Sequence, residues 1–447
     1  MTDAELDRLY ELLAIPSVSA VADHAPDMAR AAETVATLVR RAGGSAEVVE
    51  TARHPLVLGD VPPSDGRADA PTVLVYGHYD VQPVGDLGLW ETPPFEPTVM
   101  DESIRCRGAS DDKGNLYQAM VGVERLAASG TLPVRVRYLI DGEEESGGDS
   151  ATDWVEALED VPDVAIIWDT GLIAPGKPTI CTGVRGICYR RVIVRAGLRD
   201  GHSGLYGGAA MNAANVLTRM LAAVAPVDGR LPAPLTEGVA PIHAEETAVW
   251  ATLPDGGSML GDAGLAPADP AAAAEFNQRT LAAPSLDVHA LASGEVGAVR
   301  TVIPSVASAM LSVRLAPGQD PAVIGPALEE LLRTAAPPGA VVEIERLGDS
   351  LPAVMDPAHP VLRAAAGAIE RATGWPAVPI RSGGTLPVMA SMVARGMPTV
   401  LTGFAQYDDN IHAPNERMRL ENMELGARAA MEIMTALGGI PRDGGSP

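Results

Sequence analysis

The chain has 447 residues, 47% hydrophobic and 20% charged, enough apolar content for one large buried core or two smaller ones. A formal net charge of -25 and an isoelectric point near 4.6 argue against nucleic acid and anionic membrane surfaces as partners, because both select basic surfaces. No apolar run approaches the ~20 residues of a membrane span, and the three cysteines, Cys106, Cys181 and Cys188, lack metal-ligand spacing and suit a reducing compartment, so a cytoplasmic protein is expected.

The first residues place Thr2 and Glu5 at capping-box spacing and Leu6, Leu9 and Leu13 on one helical face, which predicts a folded helix rather than a signal peptide. A second helix is predicted over 27–42, closed by Gly43 and Gly44, followed by strands at 46–49 and 56–58. The apolar run 72–76 fits a buried parallel strand. Helix 115–129, strand 134–140, helix 152–158 and strand 164–168 continue the alternation, which indicates an α/β domain with a mostly parallel sheet. Ligands of such a sheet lie at the carboxyl ends of its strands.

After Gly186 the texture changes. A long alternating strand at 187–195 precedes GHSGLYGG at Gly201 to Gly208, a helix near 211–223, and a Pro- and Ala-rich tract over 226–284 with an acidic helix-like piece around Glu245. Strands near 299–303 and 308–315, a helix near 321–334 and a strand at 341–346 complete a split βαβ order. From about Asp356 the α/β texture returns, with a helix over 360–373, RSGGTLPV at Arg381 to Val388, a strand at 399–402, GFAQYDDNIHAPNE from Gly403 and a helix over 420–437. The closing PRDGGSP is expected to be disordered.

Chemistry gathers in a few phrases. In GHYDVQP, His78 and Asp80 fall two apart on the same side of an extended chain, His78 as a candidate metal ligand and Asp80 as the acid that orients it. In RGASDDKG, Asp111 and Asp112 stand just ahead of a helix, where a carboxylate can bridge two cations through its two oxygens. In DGEEESGG, Glu143, Glu144 and Glu145 repel one another unless a cation sits among them or water bathes them, a solvated acidic loop being the alternative. Asp169 follows the strand at 164–168, and His412 sits among Asp408, Asp409, Asn410 and Glu416. His24, His54, His243, His289 and His359 read as surface or satisfied core, and His202 between its glycines as an ordinary turn. Arg314 interrupts an apolar alternation and needs an anion or a structural salt-bridge partner. Gly383 and Gly384 could present backbone N–H groups to a carboxylate.

Together these phrases resemble, in order and along nearly the whole chain, the carnosinase-type dipeptidases of the di-zinc exopeptidase and deacylase superfamily. That superfamily also holds glutamate carboxypeptidases, acetylornithine deacetylases and succinyl-diaminopimelate desuccinylases. The tract 226–284 has no counterpart, and its length is similar to the dipeptidase branch. The resemblance implies that His78 and Asp169 bind one metal, that Glu145 and His412 bind the other, and that Asp111 bridges both, with a cis peptide bond after it. It implies Glu144 as general base and Asp80 as the acid behind His78. It implies that His202 reaches the active site of a partner subunit in a homodimer, and that Thr301, Arg314, Gly383, Gly384 and Thr385 hold the substrate's carboxylate end.

The expected organisation is a catalytic domain in two parts, 1–186 and 354–447, with a ferredoxin-like lid and dimerisation domain over 187–353. The His and carboxylate ligand set suits two divalent ions, zinc first, with manganese or cobalt compatible. The expected reaction is hydrolysis of small unblocked dipeptides by a metal-bridged water, with Glu144 as base. An N-acyl-amino-acid deacylase or a carboxypeptidase would share every catalytic residue. A non-catalytic metal-binding protein is the third reading, and the intact base beside a full ligand set opposes it.

Overall fold

A computed structural model describes residues 1–242, 244–294, 297 and 300–440. His243, the Val299 start of one predicted strand and the tail at 441–447 lie outside the described residues. The chain divides into two compact units, one of residues 1–182, 355–380 and 391–447, the other of residues 183–354 and 381–390. The segment 381–390, expected with the second part of the catalytic domain, therefore groups with the second unit.

The first unit is built on a sheet in the order Ser45–Val49, Leu56–Val61, Arg135–Asp141, Thr72–His78, Val164–Trp168, Thr399–Thr402 and Thr179–Val184. Its four central strands, from Arg135–Asp141 to Thr399–Thr402, are mutually parallel, and the flanking pairs are antiparallel. Every residue of Thr72–His78 is buried, as its unbroken apolar run requires of a strand covered on both faces. Helix Lys113–Ala128 follows the Asp111 loop and packs on helix Leu420–Leu437. The approach is close at Gly122, where an added Cβ would lie 2.6 Å from the Cβ of Ala430. Helix Asp3–Leu13 begins at Thr2 with the reciprocal capping box that its sequence predicts.

The second unit has a four-stranded sheet in the order Ser285–Ala292, Val306–Leu315, Gly186–Arg195 and Val341–Ser350, with every neighbouring pair antiparallel. Helices Ala213–Val224 and Pro321–Ala335 bury Val216, Leu217, Met220, Ile324, Leu328 and Leu332 in a core with Val192, Val194, Leu311, Val313 and Leu315. In chain order this is strand, helix, strand, strand, helix, strand, the split βαβ arrangement. Its second strand is Ser285–Ala292 rather than the run near 299–303, of which Val302–Ile303 pairs instead with Gly201–His202. Ser285–Ala292 is an edge strand exposed along most of its length, so it carries little of the apolar signal by which the others are read. The Pro- and Ala-rich tract contains short helices at Ala244–Trp250, Gly256–Asp262 and Phe276–Leu281.

Candidate metal centre

The parallel centre of the first sheet delivers its chemistry at one end. His78 closes Thr72–His78, Glu144 and Glu145 follow Arg135–Asp141, Asp169 follows Val164–Trp168, and the chain reaches His412 after Thr399–Thr402. Asp111 comes from the loop before helix Lys113–Ala128, and the Asp111–Asp112 peptide bond is cis.

These residues form two triads, His78 with Asp111 and Asp169, and Asp111 with Glu145 and His412, each with one ligand atom per residue inside 4.8 Å. Asp111 belongs to both because its oxygens part company: Oδ1 lies 3.1 Å from His78 Nε2, and Oδ2 lies 2.9 Å from His412 Nε2. His412 Nε2 is also 3.2 Å from Glu145 Oε1, and His78 Nε2 is 3.9 Å from Asp169 Oδ1. His412 adopts a left-handed φ of 61°, uncommon for a residue with a Cβ.

The electrostatics are those of a centre with surplus negative charge. Burial pushes the Asp169 carboxyl well up, and burial with the nearby carboxylates of Glu145 and Asp111 raises Glu144 to about 7. Burial disfavours a charged His78, but hydrogen bonding to Asp111 and Asp80 outweighs it and raises its pKa. Hydrogen bonds to Asp111 and Glu145 raise His412 to about 10. Among the described residues the buried Asp112 Oδ1 has no hydrogen-bond partner, while Asp80 Oδ1 faces His78 Nδ1 at 3.4 Å and Glu145 Oε1 faces His412 Nε2 at 3.2 Å. Two sets of imidazole and carboxylate donors that share one bridging acid, with acceptor oxygens to spare, fit a pair of divalent cations.

The surrounding contacts refine the sequence expectation. His78 Nδ1 is 3.0 Å from the backbone carbonyl of Asp80 and 3.4 Å from its Oδ1, so the carbonyl is the nearer orienting group. The other Asp80 oxygen accepts from Ser19 Oγ at 2.6 Å and from the Glu145 backbone N–H at 3.0 Å. Of the three adjacent glutamates, Glu143 turns away and accepts from Thr51 Oγ1, the His54 N–H and Ser150 Oγ. Asp112, which the sequence sets beside Asp111 ahead of the helix, belongs to neither triad and instead accepts from the His78 N–H at 3.0 Å, while sequence reasoning missed Gln82, which donates to Glu145 Oε2 at 2.8 Å. It also missed Asn115, whose side chain ties Ser110, Thr170 and Phe404 together. A polar residue at the start of a helix is the only sequence signal Asn115 offers.

The remaining predicted residues lie in the second unit. His202 is exposed, and its Nδ1 accepts the Gly204 N–H at 3.0 Å, which leaves the proton of a neutral ring on Nε2. Thr301 neighbours it, its carbonyl accepting from the Ser203 N–H and Oγ. Arg314 Nη1 donates to Thr385 Oγ1 at 2.6 Å, so Arg314 and the Gly383 to Thr385 loop come together. Arg185, not singled out in the sequence, holds that loop through Gly383 O at 2.7 Å and Gly384 O at 2.9 Å.

Residues 74–436 match Peptidase family M20/M25/M40. The cysteinylglycine-S-conjugate dipeptidase of Corynebacterium striatum is 28% identical over 96% of this chain and 94% of its own. Among solved structures, the M20 family metallo-carboxypeptidase Sso-CP2 of Sulfolobus solfataricus superposes with a TM-score of 0.88 at 27% identity, covering 98% of this chain and 100% of its own. Human carnosine dipeptidase 1 superposes with a TM-score of 0.80 at 25% identity, covering 98% and 96%. Because the family match spans most of the chain and takes in every residue of both triads, the chain belongs to peptidase family M20/M25/M40.

Proposed function

We propose that the protein is a metal-dependent dipeptidase that hydrolyses the amide bond of small unblocked dipeptides. The observation that carries this reading is the pair of triads sharing Asp111, with Glu144 beside them. The names of the relatives agree, since both the Corynebacterium striatum and the human protein are called dipeptidases. Two divalent cations, zinc first and manganese or cobalt as compatible alternatives, would be held by His78, Asp111, Asp169, Glu145 and His412, and would supply Lewis acidity and an acidified water.

In this reading Glu144, a ligand in neither triad, takes the proton of the attacking water on its carboxylate and returns it to the leaving amine. Asp80 steadies the centre at two points, His78 Nδ1 through its carbonyl and the Glu145 N–H through its carboxylate. Arg314, Thr385 and the Gly383 to Gly384 backbone take the substrate's carboxylate end, with Thr301 close to His202. His202, its Nε2 a donor, stabilises the oxyanion at the active site of a second copy, which makes the working form a homodimer. No helix among the described residues is long and apolar enough to cross a membrane. Three free, buried thiols support a cytoplasmic location.

The carboxypeptidase Sso-CP2, with its TM-score of 0.88, favours keeping a carboxypeptidase or N-acyl-amino-acid deacylase as the second reading. The test is a panel of free dipeptides against their N-acetylated twins, with enzyme reconstituted in zinc or in manganese and a chelator control. Faster, chelator-sensitive cleavage of the free dipeptides is expected. A preference for the acetylated twins would move the protein to the deacylase reading.

A further inference from the structure

The loop that carries Asp111 and the loop that carries His412 are held side by side. Strands Ser103–Arg105 and Arg417–Arg419 pair antiparallel with Arg105 opposite Arg417, so the residues after Arg105 run alongside those before Arg417. The Cys106 N–H donates to the Glu416 carbonyl at 3.0 Å, and the Ser110 hydroxyl donates to the Arg417 carbonyl at 2.6 Å. Between the two loops lies the Glu416 side chain, with no exposed surface.

Four donors converge on that carboxylate. Oε1 accepts the N–H groups of Ser110 at 2.9 Å and Asp111 at 3.0 Å, while Oε2 accepts the Gly108 N–H at 3.0 Å and Arg107 Nη1 at 2.7 Å. Backbone N–H groups converging from an irregular loop make an anion nest, and the turn depends on Gly108 at a φ of 83°. Arg107 is buried as well, with its guanidinium 5.4 Å from the Trp90 ring centroid. Desolvating such an ion pair is expensive, so its placement calls for a reason beyond stability. All four donors come from the stretch 107–111, which ends at the acid shared by both triads.

We propose that Glu416 is a positioning residue for the two-cation centre, fixing the Asp111 backbone while anchoring the loop that bears His412, so that the bridging acid and the second triad's histidine stay in register. The proposal rests on the two-cation reading above. Glu416 acts through the Asp111 backbone and is not itself a member of either triad. Glu416→Gln is informative at the level of atoms. Every group around the carboxylate is a donor, so whichever way the amide turns, its NH2 faces two donors and two of the four hydrogen bonds are lost.

The experiment is a cobalt titration of the metal-stripped, full-length chain, followed by visible absorption and with folding checked by near-UV circular dichroism. The unsubstituted chain is expected to bind two cobalt ions. Glu416→Gln is expected to bind at least one of them about 10- to 100-fold more weakly, the range typical for loss of a group that orients metal ligands, with an altered d–d spectrum. Arg107→Met, which removes one donor and leaves the backbone nest, should shift both in the same direction by less. Arg125→Met, in a helix cluster outside both loops, should lower the melting temperature and leave cobalt affinity and spectrum unchanged. A folded Glu416→Gln with the unsubstituted chain's affinity and spectrum would overturn the proposal. If that variant does not fold, an Arg107→Met chain with unchanged affinity and spectrum would overturn it instead. An unsubstituted chain that takes up fewer than two cobalt ions would overturn the two-cation reading itself.

Discussion

Glu143, Glu144 and Glu145 share a sequence context and have different surroundings. Glu143 accepts hydrogen bonds from three donors, Glu145 meets Gln82 and His412, and Glu144 is raised to about 7 by burial and by the carboxylates around it. A consequence for metal uptake follows. Without cations, Glu144 holds a proton below about 7 and His412 below about 10, whereas a ligating imidazole must be neutral and a carboxylate beside cations is ionised. Both groups therefore bind more protons in the cation-free protein, so cation affinity rises with pH and uptake releases protons. Calorimetric cobalt titrations at pH 6 and pH 8, each in buffers of different ionisation enthalpy, should show tighter binding at pH 8 and net proton release. Equal affinity at both values with no buffer dependence would contradict this proton inventory. The residues of both triads are legible in sequence through the resemblance their phrases carry, and His78, Glu145 and Asp169 also through their place at the carboxyl ends of strands. The parts that Gln82, Asn115 and Asp112 play are not, since they come from hydrogen bonds to residues distant in sequence.

At the scale of elements, Arg125 joins three helices. From helix Lys113–Ala128 it pairs in two-pronged fashion with Glu5 of helix Asp3–Leu13, at 2.9 Å through both contacts, and with Glu424 of helix Leu420–Leu437 at 3.0 and 2.9 Å. The Arg125 hydrogen bonds are the main reason Glu5 is lowered to about 2 from its usual 4.5. A carboxylate depressed in this way contributes stability that is present above the unfolded value and is lost as pH falls through the folded one. Arg125→Met is therefore expected to cost about 1–3 kcal/mol at neutral pH, and the gap to the unsubstituted chain should narrow as pH falls from 5 to 3. Thermal unfolding across that range checks it, and a gap independent of pH would contradict the assignment to Glu5. The helices on either side of this knot were legible from their apolar periodicity and the Thr2 capping box. Ser285–Ala292 was not, because an edge strand with one well-buried residue, Leu286, needs no apolar pattern.

At the scale of the whole molecule, the predicted site residues divide between the two units, with both triads in one and His202, Thr301, Arg314 and the Gly383 to Thr385 loop in the other. His202 is exposed on a two-stranded ribbon, and Leu205 and Tyr206 just after it are 74% and 54% exposed. Large apolar side chains presented beside a histidine donor suit a surface that another chain covers. If His202 serves the active site of a second copy, Glu144→Gln and His202→Ala should each be nearly inactive alone and restore activity together. In a mixed dimer one site is doubly damaged, while the other combines an intact Glu144 with an intact His202 from its partner. Random exchange of equal amounts makes half of the dimers mixed, so on the order of a quarter of the unsubstituted activity should return. The mixture is assayed after subunit exchange, with sedimentation reporting the dimer. Recovery near that fraction supports a shared site, and a dimer that exchanges subunits without recovering activity would place His202 in the service of its own chain.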